Sequence, residues 1–87
     1  MSSSGIYRIR NSVTGDQYVG SSSEIEFRFG RHRYDLERNQ HVNPKLQNAW
    51  NKYGAENFVF EVVELCDRSS LLVCEQTYLD DRPTYNI

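Results

Sequence analysis

Three groups of residues in this 87-residue chain are of a type and spacing that could do chemistry. The first is a pair of tyrosines, Tyr7 and Tyr18, in the stretch GIYRIRNSVTGDQYVG at positions 5–20. The second is Arg28 with His32, four positions apart. The third is Glu75, in the apolar segment LLVCEQTYL. A guanidinium grips phosphate oxygens with a fixed fork of donors, and an imidazole handles protons near neutral pH. A carboxylate among apolar residues is costly to bury alone, so it is neutralised, paired or bound to a metal. Glu75 therefore needs a partner, and an arginine such as Arg28 and a divalent cation are equal candidates for it.

The elements that must position these residues can be read from pattern. Runs Ile6 to Arg10 and Asp16 to Val19 flank NSVTG, whose residues favour turns, so a hairpin is expected. A loop of two or four residues makes partner numbers sum to an odd value. Tyr7 and Tyr18 then share a face; a loop of three or five would separate them. Tyrosines are also ordinary residues of half-buried strands. SEIEFRFGRHRYDLER opens with Ser23 and Glu26 in capping-box spacing and predicts a helix over about 24–38. At about 3.6 residues per turn, Ile25, Phe29 and Leu36 form its core stripe. Arg28 and His32 stack at the border of that stripe, where, taken alone, a snorkelling arginine and a satisfied histidine are the plainer reading.

NPKLQNAWNKYG predicts a second helix, with Asn43 as cap, Pro44 at its first position and Gly54 just past its end. Leu46, Ala49, Trp50 and Tyr53 form its apolar stripe. NFVFEVVEL reads as a third strand, expected to be the most buried of the three. Leu71 to about Asp80 has helical spacing and stops at Pro83. On that helix Leu71, Leu72, Tyr78 and Leu79 surround Glu75. The order strand, strand, helix, helix, strand, helix implies an α+β domain with a small three-stranded, mainly antiparallel sheet flanked by helices.

Composition fits one globular domain over residues 1–87, with 38% hydrophobic and 25% charged residues. There is no spanning apolar run and no signal-peptide core, so an intracellular, cytoplasmic protein is expected. Cys66 and Cys74 fit neither a disulfide framework nor a paired zinc motif. The net charge of −2 hides a division. Residues 1–53 carry eight Lys/Arg against five Asp/Glu, whereas residues 54–87 carry two against seven. Arg8, Arg10, Arg31 and Arg33, together with Lys45, are the candidates for facing a phosphate backbone; a mixed solvated surface is the plainer reading.

The residues together resemble a GIY-YIG nuclease catalytic domain. The resemblance rests on GIY at 5–7, YVG at 18–20 with ten residues between the tyrosines, then Arg28, His32, His41, Glu75 and Asn86 within YNI. It covers essentially the whole chain. HVNPKLQNAWNKYGAENFVFEVVE is most similar to phage and intron-encoded homing endonucleases, and less so to the excision-repair or restriction enzymes of the family. The resemblance implies that Tyr7 and Tyr18 are active-site tyrosines, Tyr7 being the general base or water-orienting group. It implies that Glu75 is the sole protein ligand of one divalent metal, Mg²⁺ or Mn²⁺, and that His41 and Asn86 support the site. The implied activity is hydrolysis of DNA phosphodiester bonds.

Homing endonucleases of the family continue into a linker and a DNA-binding region. No separate DNA-binding domain is expected here, so affinity for double-stranded DNA should be weak and salt-sensitive. Phe27 and Tyr34 point away from the core stripe and are candidates for a subunit contact, for base stacking or for lying under a loop. The rival expectations are a binding module that keeps the fold for DNA or protein contact, and a structural domain with a buried Glu–Arg pair.

Overall fold

The computed structural model of the chain describes residues 3–80 and Tyr85. Strand β1 (Gly5–Asn11) and strand β2 (Gln17–Ser22) form the hairpin, followed by helix α1 (Ile25–Glu37) and helix α2 (Pro44–Tyr53). Strand β3 (Phe58–Leu65) and helix α3 (Leu71–Leu79) complete the domain, and short 3-10 turns precede each of them at Ala55–Asn57 and Arg68–Ser70. The expected order is the observed one. The sheet is fully antiparallel with strand order β2-β1-β3.

That order makes β1, not β3, the most buried strand. Ile6 and Ile9 are fully buried and Tyr7 nearly so. On β3, Val62, Glu64 and Leu65 are exposed. The expectation that NFVFEVVEL would be the most buried strand fails because β3 is an edge, whereas β1 is hydrogen-bonded on both sides. A rich β-former composition marks a strand without revealing its place in the sheet. A register shift between Ile6 and Tyr7 interrupts the β1–β3 ladder, as a bulge does.

The core joins Ile9 and Phe58 of the sheet to Leu36 of α1, to Leu46, Ala49 and Trp50 of α2, and to Tyr85. Helix α2 is built as its punctuation predicts. Asn43 accepts a hydrogen bond from the Leu46 N–H at 3.1 Å, Pro44 opens the first turn, and Gly54 ends the helix at φ 92°. A left-handed φ of this kind is cheap for glycine and costly for other residues. Truncating Leu46 to alanine would cost about 2–5 kcal/mol, the usual range for a buried leucine.

Helix α1 starts differently from its expected capping box. Glu24 occupies the cap position without a side-chain cap bond. The Glu26 carboxylate instead accepts from the Ser3 amide at 2.6 Å and the Ser3 hydroxyl at 2.7 Å. The N-terminal segment reaches the helix start first, and Ile25 N–H also donates to the Ser3 carbonyl. Helix α3 packs along β1 and β2 with no fully buried residue. Leu72, expected in its apolar stripe, is 81% exposed, so the stripe is narrower and runs through Leu71, Cys74, Glu75, Tyr78 and Leu79. No described helix is long and apolar enough to cross a membrane.

Candidate active site

The site begins with the hairpin. Asn11 N–H donates to the Asp16 carbonyl at 2.8 Å, which leaves the four-residue loop 12–15 and fixes the odd-sum register. The Asn11 side chain shapes that loop by accepting the Val13 N–H at 2.8 Å. Tyr18 therefore faces Ile9 across the ladder, and Gly20 faces Tyr7. Side chains alternate along a strand, so Tyr7, Ile9 and Tyr18 lie on one face.

Gly20 is required by the tyrosine opposite it. A Cβ built on Gly20 would lie 2.6 Å from the Tyr7 hydroxyl oxygen, so the phenol rests over bare backbone. The Tyr7 ring also meets Phe29 of α1 edge-on, with centroids 5.4 Å apart. Helix α1 brings His32 to the same point: its Nε2 lies 2.7 Å from the Tyr7 oxygen, and both residues are buried.

His32 leads in turn to His41, on the loop between α1 and α2. His32 Nδ1 and His41 Nε2 are 2.7 Å apart. The other His41 ring nitrogen, Nδ1, accepts the Asn43 backbone N–H at 3.0 Å. The His41 loop is held by buried Gln47, whose Oε1 accepts the His41 backbone N–H and whose Nε2 donates to the Leu36 carbonyl, each at 3.0 Å. Tyr18 completes the cluster, edge-on to His32 and His41 at 5.5 and 6.4 Å.

Arg28 sits half-buried one turn before His32. Together with Phe27, Arg31, His32, Asp35, His41 and Val42 it lines a groove beside the tyrosines. The electrostatics tie these groups to α3. Burial pushes the Tyr7 phenol up to about 12, aided by the Tyr18 and Glu75 charges and opposed by a hydrogen bond and charge from Arg28. Burial likewise raises Tyr18, while Arg28 and a hydrogen bond from Tyr7 pull it down and Glu75 adds to the rise. His32 is pushed down to about 4, first by burial and then by the neighbouring His41 and Arg28. His41 is also lowered, chiefly by burial.

Glu75 is half-buried rather than buried, which eases the cost that its place among apolar residues implies. Among the described residues it makes no ion pair with Arg28 or any other cation. Its charge reaches both tyrosines. No three His, Cys, Asp or Glu side chains gather into a metal cage among the described residues. A single carboxylate that pairs with no described cation and whose charge reaches both tyrosines fits a hard divalent cation, which binds through one or two carboxylates and keeps several waters.

Tyr7, Tyr18, Arg28, His32, His41 and Glu75 are thus brought together by four elements and one loop. Asn86 lies outside the described residues. The five basic candidates for backbone contact are spread more widely. Arg8 and Arg10 project from the face of β1 opposite Tyr7 and both pair with Glu61, at 2.5 and 2.9 Å. Arg33 stacks over the Phe60 and Trp50 rings at 4.8 and 6.0 Å. Arg31 pairs with Asp35 at 3.2 Å on the rim of the groove, and Lys45 is exposed on the first turn of α2. Phe27 and Tyr34 are exposed, as the helical wheel predicts, and line a hollow with Gly30 on the outer side of α1.

Sequence reasoning missed Gly20, Asn43 and Gln47 as parts of this arrangement. The odd-sum register already set Gly20 against Tyr7, so that signal was present. Nothing in the sequence marked Gln47, a polar residue on a helix, as buried.

Comparison with known proteins agrees with this arrangement. The sequence family described as the GIY-YIG catalytic domain matches residues 3–86. Intron-associated endonuclease 1 of Enterobacteria phage T4 is 47% identical over 51 residues, 59% of this chain and 21% of that protein. Probable intron-encoded endonuclease 1 of Neurospora crassa is 33% identical over 81 residues, 93% of this chain and 25% of that protein. The chain spans about a fifth to a quarter of the length of these relatives. Among solved structures, the catalytic domain of homing endonuclease I-TevI superposes with a TM-score of 0.82 at 32% identity, covering 90% of this chain and 86% of that one. A glutamate-to-alanine mutant of the same catalytic domain gives a TM-score of 0.81 at 32% identity, with 91% and 82% covered.

Proposed function

This chain belongs to the GIY-YIG catalytic domain family, and we propose that it is the cutting domain of a DNA endonuclease of the homing type, hydrolysing phosphodiester bonds with one divalent cation. The observation that carries this reading is the convergence of Tyr7, Tyr18, Arg28, His32 and Glu75 on one side of the hairpin. Every one of these side chains is chemically competent for phosphodiester hydrolysis.

Hydrolysis needs a water in line with the leaving oxygen and stabilisation of the added negative charge in the transition state. Arg28 is placed to hold non-bridging phosphate oxygens, and its half-buried position strengthens each of those bonds. The Tyr7 oxygen orients the attacking water. With its phenol raised to about 12, Tyr7 rests as the neutral hydroxyl; positive charge gathering near it favours loss of that proton to solvent water, and only the resulting phenolate can take a proton from the attacking water. Tyr18, also a phenol at rest, holds the edge of the site against both histidines. Glu75 would hold Mg²⁺ or Mn²⁺. When bound, such an ion supplies positive charge beside the phosphate and the departing alkoxide. Phe29 and Gly20 hold the Tyr7 ring in place by packing alone.

The partner is double-stranded DNA. The cation-poor residues 54–87, and the engagement of Arg8, Arg10 and Arg33 in contacts of their own, support weak and salt-sensitive binding by this domain. Supercoiled plasmid incubated with the chain at low salt should be nicked in Mg²⁺ and left intact in EDTA. If the folded chain leaves DNA uncut in both, the nuclease reading is wrong for this domain on its own.

A further inference from the structure

The two histidines form a hydrogen-bond chain whose direction is set at its far end. His41 Nδ1 accepts the Asn43 backbone N–H at 3.0 Å, and a ring nitrogen that accepts cannot carry a proton. Neutral His41 must then hold its proton on Nε2. That N–H points at His32 Nδ1, 2.7 Å away, which must accept it. Neutral His32 is left with its proton on Nε2, 2.7 Å from the Tyr7 oxygen. In the reverse order Asn43 N–H and a His41 Nδ1–H would face each other as two donors.

We propose that His41, with its ring pinned by the Asn43 amide, is a positioning residue that holds His32 as the Nε2–H form, so that the histidine pair donates a hydrogen bond to the Tyr7 oxygen and does not take up its proton. The pair is built for this. His41 cannot swing away while Gln47 grips its backbone N–H, and the two rings lie nearly parallel, 23° apart with centroids at 5.0 Å. Burial keeps both imidazoles neutral near pH 7, in agreement with the geometry. An oxygen that accepts from His32 keeps its own O–H for a different partner, Tyr18 in the resting site, and a water that replaces Tyr18 there receives the proton when it leaves. The Tyr7 oxygen also gains a donor that stabilises the phenolate once the proton has left. The role in cleavage rests on the nuclease reading; the tautomer assignment does not.

Nitrogen-15 NMR of the side chains tests the assignment in the chain as it stands, because His32 and His41 are its only histidines. At pH 7 both rings should show a protonated Nε2 and a bare Nδ1. A protonated Nδ1 on either ring, or averaging of the two nitrogens of His32, overturns the proposal. Two substitutions test its consequence. His41→Gln can still offer an N–H to His32 Nδ1, whereas His41→Glu offers only acceptors and should turn His32 to the Nδ1–H form. Plasmid cleavage by the glutamine variant should exceed that by the glutamate variant by on the order of 100-fold, less than the about 10⁴-fold that a wrong tautomer costs a Ser-His-Asp triad. Equal cleavage with His32 turned would show that the direction does not matter, against the proposal. A chain that cuts no DNA yet shows both rings as Nε2–H would support the tautomer assignment while overturning the nuclease reading.

Discussion

Gly20 lies directly across the β1–β2 ladder from Tyr7, so close that a Cβ there would reach to 2.6 Å from the phenol oxygen and 2.7 Å from Cζ. The ring cannot retreat, because Phe29 and His32 close its other sides. Gly20→Ala should therefore displace the Tyr7 oxygen while leaving the hairpin paired. We expect a stability loss of about 1–3 kcal/mol, typical of overpacking, and a fall in cleavage of at least roughly tenfold, since misplacement of a reacting group by about 1 Å can cost 100-fold. Thermal melting with a plasmid-cleavage assay checks both; an alanine variant as active as wild type would mean that the Tyr7 position is not demanding.

Tyr7→Phe separates packing from chemistry. The ring keeps its contacts with Phe29 and the backbone of Gly20, but the oxygen facing His32 is gone. Leaving that buried ring nitrogen unpartnered should cost about 1–3 kcal/mol. Loss of the water-orienting group should slow cleavage by about 10²–10⁴-fold, the usual worth of general acid–base catalysis. Single-turnover rates decide the matter, and a phenylalanine variant within a few-fold of wild type would remove Tyr7 from the chemistry.

His32 makes folding sensitive to acid. Its ring titrates near 4 in the folded chain and near about 6.5 when unfolded. Between those values the unfolded state holds the extra proton, so stability rises with pH and is lost as pH falls from 6.5 toward 4. His41, lowered for the same reason, acts in the same direction. Lowering pH from 7 to 5 should cost about 2 kcal/mol from His32. Urea denaturation at the two pH values measures this, and His32→Gln should flatten the difference. Equal stability of wild type at pH 5 and 7 would contradict the buried neutral imidazole.

Much of this arrangement was legible because local patterns were strong. Asn43, Pro44 and Gly54 fixed helix α2 through backbone chemistry that depends on neighbours in sequence. The turn residues of NSVTG marked the hairpin, and the spacing of Arg28 and His32 put them on one border of α1. What stayed hidden depended on contacts between distant segments. Glu26 looked like a capping-box residue until Ser3 arrived to take its oxygens. β3 looked central until the strand order put β1 in the middle. Gln47 gave no sign of burial because its partners, the His41 amide and the Leu36 carbonyl, are backbone groups brought by folding. Glu75 was recognisable as a misplaced carboxylate, yet only the fold shows that Arg28 does not pair with it and that both phenols feel its charge.

Glu75 serves cleavage and not stability, and the single-turnover rate of DNA cleavage by Glu75→Gln against wild type across a Mg²⁺ titration tests this. Glutamine keeps the shape and removes the charge, and with no ion pair to lose among the described residues, the variant should melt within about 1 kcal/mol of wild type. Wild type should cut in a Mg²⁺-dependent way, and the variant should lose on the order of 10³-fold or more at every Mg²⁺ concentration. A folded Glu75→Gln protein that cuts DNA at the wild-type rate would contradict that role for Glu75.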